Sequence, residues 1–128
     1  MAKVLISPGK YVQGAGEMKK LGEYAQNYGK KALILISKGG YKRIGAMVEK
    51  SFEGKECGYV FDYFNGECSK KEIKRLGEIV KKEACDVVIG IGGGKIFDTA
   101  KAVAYYEKTP VLICPTIAST DAPVSYTH

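Results

Sequence analysis

Ala32-Leu33-Ile34-Leu35-Ile36 is an unbroken apolar run, with Lys30-Lys31 before it and Gly39-Gly40 after it. A strand with one wet face alternates polar and apolar residues, so a continuous run suits a strand covered on both faces. Strands of that kind belong to parallel sheets flanked by helices, and the rest of the chain has the periodicity to supply them. Lys3 to Ser7 reads as a short strand closed by Ser7-Pro8-Gly9, and Tyr11 to Gln13 can return as its neighbour. Met18, Leu21, Ala25 and Tyr28 fall at helical spacing over Glu17 to Tyr28, stopped by Gly29. Ile44, Met47, Val48 and Phe52 make a second helical stripe ending near Gly54, and Tyr59 to Phe64 is aromatic and β-branched, hence strand. Ser69-Lys70-Lys71-Glu72 matches a capping box, in which Ser and Glu satisfy orphan amides at a helix start. Behind it Ile73, Leu76, Val80 and Ala84 line an inner face, while Lys74, Arg75, Glu78 and Lys81 face water. The strand Asp86 to Ile91, a glycine cluster, a helix through about Glu107 and the strand Pro110 to Cys114 follow. Alternation of this kind predicts an α/β, Rossmann-like domain: a mainly parallel sheet with helices on both faces.

Several functions fall away on simple grounds. A chain of 128 residues holds one domain, and no purely apolar stretch runs beyond about five residues, against the ~20 that a membrane span needs. The only histidine is His128, at the last position, which removes most Ser-His, Cys-His and multi-histidine zinc chemistry from this chain. Cys57, Cys68, Cys85 and Cys114 show no Cys-x-x-Cys spacing; no signal peptide is visible, and isolated buried thiols fit a cytoplasmic protein. The net charge is +6, but basic residues are interleaved with acids over several helices. That pattern predicts a solvated surface and no nucleic-acid partner.

Gly90-Ile91-Gly92-Gly93-Gly94-Lys95 lies where a strand should give way to a helix. Unobstructed backbone N–H groups and the helix dipole at such a junction can hold a phosphate. A P-loop would need Gly at Ile89 and Ser or Thr at Ile96, and G-x-G-x-x-G would need Gly at Lys95; neither pattern is met. The competing explanation is close packing of helix on strand. A second loop, Cys114 to Pro123, leaves the carboxyl end of the next strand with Thr116, Ser119, Thr120 and Asp121. Ligands in open α/β sheets sit beyond those carboxyl ends, so the two loops should face one crevice.

Gly92-Gly93-Gly94-Lys95-Ile96-Phe97-Asp98-Thr99-Ala100-Lys101 and Pro115-Thr116-Ile117-Ala118-Ser119-Thr120-Asp121-Ala122-Pro123, with Ser7-Pro8-Gly9-Lys10-Tyr11 and Gly66-Glu67-Cys68-Ser69, occur in order along the chain. Together they resemble the glycerol dehydrogenase branch of the metal-dependent, iron-type alcohol dehydrogenases. The resemblance implies that residues 1–128 form the NAD-binding lobe of an oxidoreductase converting glycerol to dihydroxyacetone. It implies cofactor contacts from Gly92, Gly93, Gly94, Lys95, Thr116, Ser119 and Ser125, with Asp98 orienting cofactor or loop. Asp121 would reach a hydroxyl of the polyol substrate. Where the family usually places an acidic residue for the adenosine ribose, this chain has Ser37 followed by Lys38, so only a small preference for NAD over NADP is expected. The family's zinc or iron ligands, an Asp and two His from a helical second domain, map onto no residue here, so the isolated chain is expected to be inactive. A lobe shaped to face a second domain is expected to self-associate. The rival reading is a stand-alone nucleotide-binding module without catalysis.

Overall fold

The computed structural model describes residues 9–12 and 16–116. In chain order the elements are β1 (Gly9–Tyr11), a 3₁₀ turn (Glu17–Lys20), α1 (Leu21–Ala25), β2 (Lys31–Ile36), α2 (Lys38–Ser51), β3 (Gly58–Tyr63), α3 (Lys70–Lys82), β4 (Val87–Gly92), α4 (Gly94–Glu107) and β5 (Val111–Pro115). Five strands form one sheet in the order β1-β5-β4-β2-β3, and every pairing is parallel.

The apolar run sits where its composition requires. β2 lies between β3 and β4, and its residues from Ala32 to Ile36 are each 1% exposed or less. Ala32, Ile34 and Ile36 join Val48 and Phe52 of α2 and Leu21 and Ala25 of α1 in one core. Leu33 and Leu35 join Leu76 and Val80 of α3 and Ala100 and Val103 of α4 in another. The division follows from chain direction. α2 leads from β2 outward to β3; α3 returns past β2 to β4, and α4 continues the same way to β5. Right-handed crossovers running in opposite directions along a sheet lay their helices on opposite faces. The α/β, helix-on-both-faces architecture expected from the sequence is the one found.

Four local expectations need correction. The first helix is shorter than its apolar spacing predicts, a 3₁₀ turn and one five-residue α-helix. Gly22 there packs against the end of α2 and donates its amide to Ser51 Oγ at 3.0 Å. The edge strand β1 covers Gly9–Tyr11, two residues earlier than predicted, and pairs with β5; the strand predicted over Lys3 to Ser7 lies outside the described residues. Ala84 does not line the inner face of α3. It lies past the helix end at φ +56 and is exposed, and Cys85 is buried in its place.

The capping box forms only by half. Ser69 Oγ accepts the Glu72 amide at 3.1 Å, as predicted. Glu72, 1% exposed, instead takes the Asn65 amide at 3.2 Å and a two-pronged contact from Arg75, both at 2.8 Å. Arg75 also reaches Asp62 at 2.9 Å and the Tyr63 carbonyl at 3.2 Å while staying exposed, as its spacing predicts. The Arg75 guanidinium holds the Glu72 carboxyl below the usual carboxylate range, helped by the Asn65 amide and opposed by burial. A folded-state pKa below the unfolded value of about 4.3 gives stability that is present above that pH and lost as pH falls through the folded value. Glu72→Gln should therefore cost about 2 kcal/mol at pH 7, the Arg75 charge being open enough to rehydrate. The same variant should flatten the fall in stability below about pH 4.3. Urea midpoints at pH 7 and pH 3 measure both; parallel acid limbs in the two proteins would discard this account of Glu72.

Candidate functional site

Strand order creates the candidate site before any side chain does. β2 and β4 are neighbours, yet the chain leaves β2 toward β3 and leaves β4 toward β5. Their onward connections diverge and open a crevice at the carboxyl ends, the place where doubly wound sheets bind ligands. The connections at this edge include Ser37-Lys38 after β2, Gly93-Gly94 after β4 and Thr116 after β5. The two loops expected to share a crevice are joined at the start of the second, where the Thr116 amide donates to the Gly92 carbonyl at 3.1 Å.

The glycines of the β4–α4 loop divide into two kinds. A Cβ on Gly90 would stand 2.9 Å from Ala100 Cβ, and one on Gly92 would stand 2.7 Å from Ile96 Cδ1. Gly92 also has φ +148, a conformation that disfavours side chains. Packing of α4 on the sheet therefore accounts for both. It does not account for Gly93 or Gly94, where an added Cβ meets nothing within 4 Å. These two keep the loop bare toward open space. Gly93 is the N-cap of α4 and has no side chain to cap the helix. No described residue accepts from the amides of Gly94, Lys95 or Ile96, and unpaired amides at a helix start suit an anion.

Around this bare loop the predicted residues take distinct positions. Lys95 is exposed, and its Nζ lies 3.2 Å from Glu67 Oε2, in the loop between β3 and α3. Asp98 is exposed on α4, beyond its first turn. Ser37 is the N-cap of α2, with Oγ accepting the Gly40 amide at 2.9 Å. Lys38 lies 5.9 Å from the Tyr63 ring centroid, and Tyr41 meets Tyr63 edge-on, so a cation and two aromatic rings border the β2 end of the crevice. Thr116 is half-buried. Ser119, Asp121, Ser125 and His128 lie outside the described residues.

Glu67, Asn65 and the Glu72–Arg75 pair were not assigned to the site by sequence reasoning, although Glu67 stands inside one of the quoted motifs. A signal was present for the pair: Glu72 and Arg75 are three residues apart on one helix, a spacing that brings opposite charges together. The cysteines also separate. Cys57, Cys85 and Cys114 are buried, whereas Cys68 is exposed, which corrects the expectation that it is a buried structural thiol. Burial pushes the Cys57 and Cys85 thiols up to about 11, and the Cys114 thiol higher still. Thiols held protonated in this way are poor nucleophiles at neutral pH. Among the described residues, no three His, Cys, Asp or Glu side chains converge as metal ligands, so they do not fit the iron or zinc of the family resemblance. No described helix is long and apolar enough to cross a membrane.

Comparison with known proteins follows the same outline. Residues 8–127 match the model of a family described as iron-containing alcohol dehydrogenase. The chain is 45% identical over 125 residues to a glycerol dehydrogenase of Citrobacter freundii and 48% identical over 132 residues to one of Thermotoga maritima. Each alignment takes in 98% of this chain and 34% of the relative. The structure superposes on glycerol dehydrogenase of Schizosaccharomyces pombe with a TM-score of 0.75 and 32% identity, covering 91% of this chain and 30% of that one. A probable glycerol dehydrogenase from Sinorhizobium meliloti 1021 gives a TM-score of 0.72 and 41% identity, covering 91% of this chain and 31% of that one. The chain thus spans about a third of the length of the relatives it matches.

Proposed function

The chain belongs to the iron-containing alcohol dehydrogenase family, and from that premise we propose that it is the NAD-binding lobe of a glycerol dehydrogenase. The reaction is oxidation of glycerol to dihydroxyacetone with reduction of NAD and release of a proton. The observation that carries this reading is the pair Gly93-Gly94: at a sheet switch point, ahead of a fourteen-residue helix, two glycines are kept that no packing contact requires. A backbone bared there admits a pyrophosphate against the first amides of α4, and Lys95 adds a mobile positive charge beside it. When bound, the dinucleotide supplies the hydride acceptor. The chain's own residues bind and orient it: Gly92 sets the turn, Gly93, Gly94 and Lys95 take the phosphates, Thr116, Ser119 and Ser125 flank the remainder, and Asp98 orients cofactor or loop. Asp121 receives a hydroxyl of the polyol. The described residues hold no ligand set for iron or zinc. A cytoplasmic homo-oligomer completes the proposal. The rival non-catalytic module gains nothing from relatives that are themselves glycerol dehydrogenases.

Ser37 tests the placement of the adenosine end. Its oxygen caps α2, and Asp caps a helix as well as Ser does, so Ser37→Asp introduces a charge without removing the cap. A carboxylate there accepts from the ribose hydroxyls and repels a 2′-phosphate. Calorimetric titration of the chain should show weak binding of both NAD and NADP, with affinities within about tenfold of each other. Ser37→Asp should move that ratio by about tenfold toward NAD. Absence of binding by either dinucleotide would overturn the cofactor reading, and an unmoved ratio would take Ser37 away from the ribose.

A further inference from the structure

We propose that Glu67 is the internal counter-ion of the glycine loop: its carboxylate holds Lys95 until the phosphates of a dinucleotide take the lysine over, and it thereby sets the affinity of the loop for that anion. The inference rests on the dinucleotide reading above and adds to it a residue that touches neither packing nor metal. The contact is positioned by a chain of bonds. Arg75 grips Glu72 at 2.8 Å and the Tyr63 carbonyl at 3.2 Å; Glu72 accepts the Asn65 amide at 3.2 Å; Asn65 Oδ1 accepts the Glu67 amide at 3.2 Å. Gly66, at φ +106, makes the turn between Asn65 and Glu67 that other residues resist. The Glu67 carboxylate then meets Lys95 Nζ at 3.2 Å.

Topology gives this contact its position. β2 lies between β3 and β4, so a pair joining the loop after β3 to the loop after β4 reaches across the carboxyl end of β2. That end is one wall of the crevice. An anion seated on the amides of Gly94 and Lys95 would therefore lie close to a carboxylate as well as to a lysine. Both side chains are largely exposed, Lys95 at 65% and Glu67 at 74%, and such a pair is weak enough to open for a multiply charged ligand. Removing the carboxylate frees the lysine and removes a like charge from the anion, so both effects act in the same direction.

The test is calorimetric titration of NAD, and separately of inorganic pyrophosphate, into the whole chain and its Glu67→Gln, Lys95→Met and doubly substituted forms. Glu67→Gln should tighten both ligands by about threefold or more at low salt, with the gain shrinking as salt is raised. In the Lys95→Met background the gain should shrink to the part that comes from removing a like charge beside the anion. Unchanged or weaker binding by Glu67→Gln overturns the proposal, as does a gain that persists in full without Lys95. A wild-type chain that binds neither ligand overturns the dinucleotide reading together with this one; a wild type that binds while Glu67→Gln changes nothing overturns the counter-ion alone.

Discussion

Gly22→Ala should destabilise the chain by about 3 kcal/mol, a large share of what a domain of this size has. A Cβ on Gly22 would stand 2.2 Å from the Ser51 carbonyl oxygen and 2.7 Å from Phe52 Cα. Both obstacles are backbone at the end of α2, so no rotamer change relieves them. α1 would have to lift, breaking the Gly22 amide bond to Ser51 Oγ and loosening Leu21 and Ala25, both fully buried. Each of these losses carries a cost of about 1 kcal/mol or more. Urea unfolding followed by circular dichroism measures the change. A loss smaller than about 1 kcal/mol would mean that α1 and α2 are not packed as closely as the structure has them.

Gly94→Leu should do the opposite, ending dinucleotide binding while leaving stability almost untouched. The added Cβ meets no atom within 4 Å, and leucine is a better helix former than glycine, so the urea midpoint should stay or rise slightly. Binding should fall by about 100-fold or more, because a side chain would occupy the space of a phosphate against the first amides of α4. The same substitution gives a catalytic readout in a fusion of this chain to the remaining two thirds of the Thermotoga maritima relative. If that fusion oxidises glycerol with NAD, Gly94→Leu should abolish the activity. A stable Gly94→Leu chain that still binds NAD normally would remove the glycine loop from the site.

Legibility differed from element to element for physical reasons. β2 is unmistakable because a strand covered on both faces must be apolar throughout, and the structure buries it from Ala32 to Ile36. α3 was legible from its stripe and from Ser69, whose cap is local chemistry. The short first helix was overextended because its stripe continues to Tyr28, whereas its length is set by contact with α2, a long-range fact that no local pattern carries. In the candidate site, the glycine cluster announced itself, but its division into packing glycines and bare ones depends on Ala100 and Ile96 across the loop. Glu72 was misread for the same kind of reason. A capping box is defined within one turn, and Asn65, seven residues earlier in the folded-back loop, competes for the carboxylate.

The Ser37 cap has a consequence for how cofactor preference can change over evolutionary time. Its oxygen closes α2, and Ser, Asn and Asp all close a helix in this way at nearly equal cost. In the genetic code those three are linked by single-nucleotide steps, through AGC, AAC and GAC. A lineage can thus walk from a neutral residue to an anion at the proposed ribose end, or back again, without passing through a poorly folding intermediate. On that proposal, selectivity at this corner is free to drift with the cell's supply of phosphorylated and unphosphorylated cofactor, and the helix cap raises no barrier in either direction.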